Sequence, residues 1–126
     1  MGKTDKTYNL TGMYVDMTFL ENETSGDNSI KVVLIEMFMT NFEDFLKSAA
    51  KEMKLQNWQN LYKAAHTIKP SVTMFGIREM EPYIQNLLDR CRNEKQLDTV
   101  EELLQNCENL YKSVQEEFHV LLKKWK

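Results

Sequence analysis

The sequence predicts an all-α protein, an antiparallel four-helix bundle with an N-terminal helical or extended cover segment. Apolar side chains recur at three- and four-residue spacing along four long stretches, which is the period of helices that bury one face. Only 4 glycines and 2 prolines occur in 126 residues, too few for the many turns of an all-β chain. The connections between stretches are short, which favours antiparallel neighbours within a single domain.

The first 26 residues are predicted to be a cover segment and linker, and residues 27–126 the bundle. The polar run from Glu21 to Asn28 has the composition of a loop, and Asp27 or Asn28 suits the N-cap of the next helix. The cover segment could form a short helix or extend over one end of the bundle. Its apolar residues are Leu10, Met13, Val15, Met17, Phe19 and Leu20.

The first long helix is predicted from Ser29 to about Lys54. Polar residues, Lys31 among them, fill the outer face, and Met39 falls off the apolar stripe, either as an exposed residue or as part of a partner-facing patch. The predicted inward positions are Ile30, Val33, Leu34, Met37, Phe38, Phe42, Phe45 and Leu46.

The second helix is predicted from Trp58 to about Phe75, with Asn57 as its N-cap. A proline at position 70 cannot donate to the carbonyl of His66, so we expect a local kink. Gly76 suits a left-handed helix end. The inward stripe is Leu61, Ala64, Ala65, Ile68, Val72 and Phe75.

Two further helices are predicted, from about Arg78 to Glu94, with Pro82 in the first turn, and from about Asp98 to Trp125. The inward residues of the first are Met80, Ile84, Leu87, Leu88 and Cys91; those of the second are Val100, Leu103, Cys107, Leu110, Val114, Phe118, Leu121 and Trp125. The two cysteines lack metal-site spacing and are predicted to be buried thiols in a reducing compartment.

Composition excludes several function classes. A net charge of −3 gives no basic footprint for nucleic acid. No apolar run reaches the roughly 18 residues of a membrane span, and the N-terminus lacks the pattern of a secretory signal. We therefore expect a cytoplasmic protein that contacts neither nucleic acid nor membrane.

One histidine occupies the polar side of the second helix. On a helical wheel His66 lies about 160° from Ile68, almost opposite the core. Lys69 is its neighbour one turn on, and no carboxylate lies close by in sequence. The same side carries Tyr62, Lys63, Pro70 and Thr73. Taken alone, these residues describe either an ordinary surface histidine or an imidazole presented to a partner, whereas His119, beside the apolar stripe of the last helix, is interpreted as a boundary residue.

This stretch contains Ala65-His66, then Ile68-Lys69, a small residue at Ser71 and a glycine ten positions after the histidine. The pattern resembles the signature of histidine-containing phosphotransfer (HPt) domains of bacterial-type two-component phosphorelays. Such domains are four-helix bundles that accept a phosphoryl group on the histidine and pass it to or from a receiver aspartate. The resemblance favours phosphotransfer over the ordinary surface histidine.

The resemblance implies that His66 is the phosphoacceptor and that Lys69 neutralises the phosphate. Several members place Gln or Glu twenty-two residues after the histidine to orient the ring. That position is Leu88 here, so either Gln85, one turn earlier, substitutes or the ring is held less tightly. Expected partner-facing residues are Tyr62, Lys63, Pro70, Thr73 and Gly76, of which Lys63 either helps attract phosphate or is simply solvated.

No Walker loop, GxGxxG or aspartate-rich pocket is present, so we expect a phosphocarrier without autonomous kinase activity, cofactor or metal. The implied partners are response-regulator receivers, which bring Mg²⁺, and a sensor or hybrid histidine kinase. A monomer is expected, and single-domain length favours a stand-alone protein over a piece of a hybrid kinase. Alternatives are a non-phosphorylated helical adaptor that binds receivers and, ranked lowest, a receiver phosphatase.

Overall fold

A computed structural model describes residues 12–126 and confirms the predicted helical bundle. Its helices are α1 (Thr18–Glu23), α2 (Asn28–Lys54), α3 (Trp58–Met74), α4 (Met80–Asn93) and α5 (Val100–Trp125), with a 3₁₀ turn at Leu97–Thr99. No strand occurs within this part of the chain. Each of the four long helices packs against two neighbours, in the closed order α2, α3, α4, α5 and back to α2. Among residues 12–126, none of the helices combines the length and apolar character that a membrane span requires.

The helix ends follow the predicted capping residues. The Asp27 carboxylate accepts from the Ile30 N–H at 3.1 Å at the start of α2. The Asn57 side chain accepts from the Asn60 N–H at 3.3 Å at the start of α3. Each bond satisfies a backbone donor that has no partner within its own helix. Pro82 lies in the first turn of α4, where a missing N–H is tolerated.

An aromatic cluster joins three helices at the centre of the bundle. Phe38 of α2 lies with its ring centroid 4.8 Å from that of Phe75, and Phe75 lies 5.4 Å from Phe118 of α5. All predicted inward residues of α4 are buried, as are those of α3 apart from the half-buried Ala64. In α5 the structure adds Leu104, Tyr111 and Leu122 to the buried set and leaves Leu110, Leu121 and Trp125 half-buried.

Three of the predicted inward positions of α2, all near its start, are wrong. Ile30, Val33 and Met37 are 46%, 53% and 54% exposed, while Val32 and Ile35 are buried. Five of the six residues from 30 to 35 are apolar, so two stripes fit the helical period equally well. Contacts with the other helices select the second stripe. Met39, left open between exposure and a partner patch, packs against the core.

Lys31 was predicted on the outer face and is instead buried. Its ammonium contacts the Glu21 carboxylate, 2.5 Å from Oε1, and lies 4.0 Å from the centroid of the Trp125 ring. A buried lysine needs such a charged partner, because an isolated ammonium loses its hydration without compensation. The pair ties α1 to α2 beside the end of α5.

The segment before α1 crosses one end of the bundle. Glu117 of α5 accepts hydrogen bonds from the backbone N–H groups of Tyr14 at 2.7 Å and Val15 at 3.2 Å. Val15, Met17 and Leu20 are buried. These contacts form the predicted cover, partly irregular and partly helical; the position of Leu10 lies outside the described residues.

Gly76 ends α3 in a left-handed conformation, as predicted, with φ +61°. The Ile77 N–H donates to the Val72 carbonyl at 3.1 Å, and the Gly76 N–H donates to the Thr73 carbonyl at 3.0 Å. These two bonds make a Schellman motif, which satisfies carbonyls at the helix end.

Both cysteines, Cys91 and Cys107, are free thiols in the core, which confirms their predicted burial. Loss of hydration raises the pKa of the Cys91 thiol to about 11 and that of Cys107 to about 12. Both thiols therefore stay protonated and unreactive near neutral pH.

Candidate functional site

His66 projects outward from the middle of α3. The imidazole is exposed, while Ala65 and Ile68 on the opposite face of the helix are buried. Within residues 12–126 the ring makes no hydrogen bond and no ion pair. The helical period thus places the imidazole in solvent, on a helix whose opposite face packs in the core.

The His66 ring is stacked on Tyr62, one helical turn earlier. The two ring centroids lie 5.9 Å apart with an interplanar angle of 21°. Residues four apart on a helix are surface neighbours, so the spacing itself brings the two rings together. The sequence places Tyr62 on the polar side of α3, but not as a contact of the imidazole.

Arg92 of α4 holds Tyr62 from the other side. Its Nη2 donates to the Tyr62 hydroxyl at 2.5 Å, and the guanidinium carbon lies 5.3 Å from the tyrosine ring centroid. The hydrogen bond to Tyr62 raises the pKa of Arg92, so the guanidinium remains charged. Sequence reasoning missed Arg92, because its contact depends on how α4 packs against α3.

Lys69 and Gln85 meet across the same two helices. The Lys69 ammonium donates to Gln85 Oε1 at 2.7 Å, and Gln85 Nε2 donates to Asp89 Oδ1 at 3.0 Å. The Gln85 amide is thus engaged by Lys69 and Asp89, and among the described residues it has no hydrogen bond to His66. Leu88, the position where the resemblance implies an orienting polar residue in several members, is buried in the core.

The remaining predicted residues lie around this centre. Lys63, Pro70 and Thr73 are exposed, and α3 continues without a break through Pro70. Thr73 donates from its hydroxyl to Glu81 Oε1 at 3.3 Å. A groove of about 590 Å³ between α2 and α3 reaches Lys63 on one side.

Gly76 is half-buried against the cover segment rather than open to solvent. A Cβ atom at this position would lie 2.7 Å from Asp16 Cβ and 2.8 Å from Asp16 O. The positive φ and this close approach are sufficient to require glycine here. Its contact with a partner stays a prediction.

The site is cationic around the imidazole. Lys69 and Arg92 approach from α3 and α4, and the acidic Asp89 is linked to Lys69 through Gln85. Within the described part of the chain, no group of three or more His, Cys, Asp or Glu residues is arranged to hold a metal ion. The arrangement suits an incoming anion better than a metal.

Comparison with known proteins identifies the family. The model of the Hpt domain matches residues 33–118, which include most of α2 and all of α3 and α4. The crystal structure of histidine-containing phosphotransfer protein B (HptB) from Pseudomonas aeruginosa PAO1 has a TM-score of 0.70 to this chain, at 19% identity, over 91% of this chain and 93% of that chain. That likeness shows the fold. No curated protein matches the sequence. Because the family model covers more than half of the chain, the protein belongs to the Hpt domain family, whose role is histidine phosphotransfer in phosphorelays.

Proposed function

We propose that this protein is a phosphocarrier in a His–Asp phosphorelay, with His66 as the residue that carries the phosphoryl group. It accepts the group from a receiver aspartate or from a kinase and passes it to a response-regulator receiver. The observation that supports this proposal is an exposed imidazole, without a hydrogen bond in the described residues, in a chain of the Hpt family. An engaged or enclosed imidazole could not meet a second protein.

The reaction needs a neutral imidazole with a free nitrogen lone pair. That lone pair attacks the phosphorus of the receiver's aspartyl phosphate, and an N–P bond forms. The P–O bond to the aspartate breaks, and its electron pair leaves on the carboxylate. The other ring nitrogen keeps its proton, so the product is a positively charged ring bearing a phosphoryl group. The reverse steps deliver the group to the next receiver.

We assign to Lys69 the role of neutralising the negative charge that the phosphoryl group brings. A phosphoryl group brings a charge of about −2, and Lys69 is adjacent to His66 on the helix surface. Its ammonium can exchange the Gln85 oxygen for a phosphate oxygen, while Gln85 keeps its bond to Asp89. Because the site is exposed, this pairing contributes about 1 kcal/mol or less. Lys69 therefore tunes the transfer rather than permitting it.

The proposed partner is a receiver domain, whose acidic phosphorylation site brings the Mg²⁺ ion. The cationic surroundings of His66 are complementary to such a site. Lys63, Pro70 and Thr73 are exposed on the same side of α3 as the imidazole, beside the half-buried Tyr62. We propose a small, transient interface formed by a monomer, since a relay protein must release each receiver after transfer. We propose no autonomous kinase activity and no metal on this chain.

The experiment uses a receiver domain carrying radiolabelled aspartyl phosphate, mixed with the purified chain. Label is expected to move to the wild-type protein in acid-labile form, and His66→Gln is expected to abolish the movement. His119→Gln, which removes the other exposed histidine, is the matched control and should transfer normally. Transfer that survives His66→Gln contradicts the proposal. Receiver binding that is indifferent to His66→Ala, with no acid-labile phosphate, indicates a binding adaptor instead.

A further inference from the structure

We propose that Tyr62 is a positioning residue for the His66 imidazole, and that Arg92 holds Tyr62 in place. The inference rests on the proposed phosphocarrier function and names what orients its reactive ring. It begins from the row of three planar groups that runs from α4 to α3, in which Arg92 contacts Tyr62 and Tyr62 contacts His66.

A stacked neighbour restrains an imidazole without occupying its nitrogens. With centroids 5.9 Å apart and an interplanar angle of 21°, the two rings are offset and nearly parallel, and the Tyr62 ring occupies neither nitrogen at the edge of the His66 ring. A hydrogen-bonding amide would instead engage one nitrogen and fix its tautomer. Stacking on Tyr62 thus restricts the His66 ring, although this ring makes no hydrogen bond within residues 12–126.

Stacking on an exposed helix face is weak unless the partner ring is itself fixed. Tyr62 is half-buried and is held from a different helix, by a charged donor on its hydroxyl and by a cation near its ring. The position of α4 is set by its buried face in the core. Through Arg92, the Tyr62 side chain on α3 is therefore held by a second helix.

No other described side chain takes this role. Gln85 is engaged by Lys69 and Asp89, and Leu88 lies in the core. Among residues 12–126, Tyr62 is the aromatic residue in ring contact with His66. These contacts make Tyr62, not the residue twenty-two positions after the histidine, the group that orients the imidazole in this chain.

The test compares three variants in the full chain. Tyr62→Leu removes the ring, Tyr62→Phe keeps the ring but loses the hydroxyl that Arg92 contacts, and Arg92→Met removes the guanidinium. Arg90→Met, a half-buried cation on the same helix with no described contact to Tyr62, is the matched control. Circular dichroism and thermal unfolding establish that each variant is folded.

The first measurement is proton NMR of the two imidazoles, because the chain has only 2 histidines and His119 serves as the internal reference. We expect a nuclear Overhauser contact between the Tyr62 and His66 rings. The ring-current shift of His66 is expected to vanish in Tyr62→Leu and to weaken in both Tyr62→Phe and Arg92→Met, because each of these two variants removes the hydrogen bond that holds the Tyr62 ring. His119 signals should not move. Unchanged His66 signals in folded Tyr62→Leu overturn the inference.

The second measurement is phosphorylation of His66 by phosphoramidate, a small donor that needs no receiver. The imidazole lone pair attacks phosphorus, the P–N bond of the donor breaks, and ammonia leaves. We expect Tyr62→Leu to slow this step about 3- to 10-fold, the range that restored side-chain rotamer freedom gives. Tyr62→Phe and Arg92→Met should each give a rate between those of Tyr62→Leu and wild type, and Arg90→Met should match wild type. A wild-type rate in Tyr62→Leu overturns the inference.

The receiver assay separates positioning from docking. A positioning role lowers the maximal transfer rate at saturating receiver, whereas a docking role raises only the receiver concentration needed for half-maximal rate. An effect of Tyr62→Leu confined to that concentration overturns the inference. If phosphoramidate modifies His66 in a Tyr62-dependent way but no receiver exchanges phosphate with it, the relay function fails while the positioning role stands.

Discussion

At the scale of single residues, the Lys69 ammonium has two competing partners, the Gln85 side-chain oxygen and the proposed phosphoryl group on His66. Its ammonium is 2.7 Å from the Gln85 oxygen in the unmodified protein, and it is adjacent on the helix to the nitrogen that we propose to be phosphorylated. The bond to Gln85 keeps the ammonium beside the site before any phosphate arrives. Phosphorylation then offers a charged acceptor in place of a neutral one.

We predict that Lys69→Ala slows receiver-to-His66 transfer by less than about tenfold, because an exposed charge pair contributes about 1 kcal/mol or less. Single-turnover transfer of labelled phosphate measures the rate. Lys47→Ala, an exposed lysine on α2, is the control and should not change it. A loss of several orders of magnitude in Lys69→Ala contradicts a tuning role.

Residue-level prediction succeeds where the helix alone decides the geometry. The outward direction of His66 follows from its angle to the core stripe. The proximity of Lys69 to His66 follows from their three-residue spacing. The contacts of Tyr62 with Arg92 and of Lys69 with Gln85 join two helices, so they depend on rotation and offset within the bundle. A single sequence does not determine the rotation and offset of two packed helices precisely enough to predict a hydrogen bond between their side chains.

At the scale of elements, the end of α3 is shaped by its fit to the cover segment. Gly76 combines φ +61° with a close approach to Asp16, so any Cβ is both strained and crowded. We predict that Gly76→Ala lowers the free energy of unfolding by about 2–4 kcal/mol. Urea denaturation measures the change. Thr73→Ala, an exposed residue in the last turn of the same helix, serves for comparison.

A loss below about 0.5 kcal/mol in Gly76→Ala, the usual range of a surface substitution, would show that the cover segment is not packed as described. Phosphoryl transfer to the folded Gly76→Ala variant should still depend on His66, because the substitution leaves the imidazole in place. The predicted effect is on stability rather than on chemistry.

The element boundaries were predictable, whereas the rotation of α2 was not. Caps at Asp27 and Asn57 and the glycine after α3 are local chemistry, which the sequence displays. The first turns of α2 are apolar on two faces, and only packing against the other helices selects one. Burial of Lys31 depends in turn on Glu21, on a separate short helix, which no periodicity of α2 can reveal.

The contact between Lys31 and Glu21 gives a prediction for α1. We expect Lys31→Ala to lower the free energy of unfolding by about 3 kcal/mol, because it removes the ammonium that faces a buried carboxylate. Chemical denaturation of Lys31→Ala and of the exposed-site control Lys51→Ala provides the measurement. Equal stability of the two variants is inconsistent with the buried pair.

For the whole molecule, the two core thiols make stability sensitive to alkaline pH. An ordinary thiol ionises near pH 9.0, while burial raises the pKa of Cys91 to about 11 and of Cys107 to about 12. The folded state therefore binds protons that the unfolded state releases. The contribution is fully present below pH 9 and is lost as pH rises from 9 through these folded values, at about 1.4 kcal/mol per unit per thiol.

We predict that Cys91→Ala/Cys107→Ala, although less stable at pH 7, loses less stability between pH 8 and pH 10 than the wild type does. Urea denaturation across this range measures both slopes. Lysine and tyrosine titrations are common to the two proteins and cancel in the comparison. Parallel slopes contradict the description of both thiols as neutral core groups.

At the scale of the whole molecule, the bundle presents the His66 imidazole on its surface. The most direct test is mass-spectrometric mapping of phosphate on the intact chain after exposure to a phosphorylated receiver. We predict one phosphoryl group, on a His66-containing peptide, that is absent from the His66→Gln protein. Phosphate on His119 or on any other residue, with His66 unmodified, contradicts it.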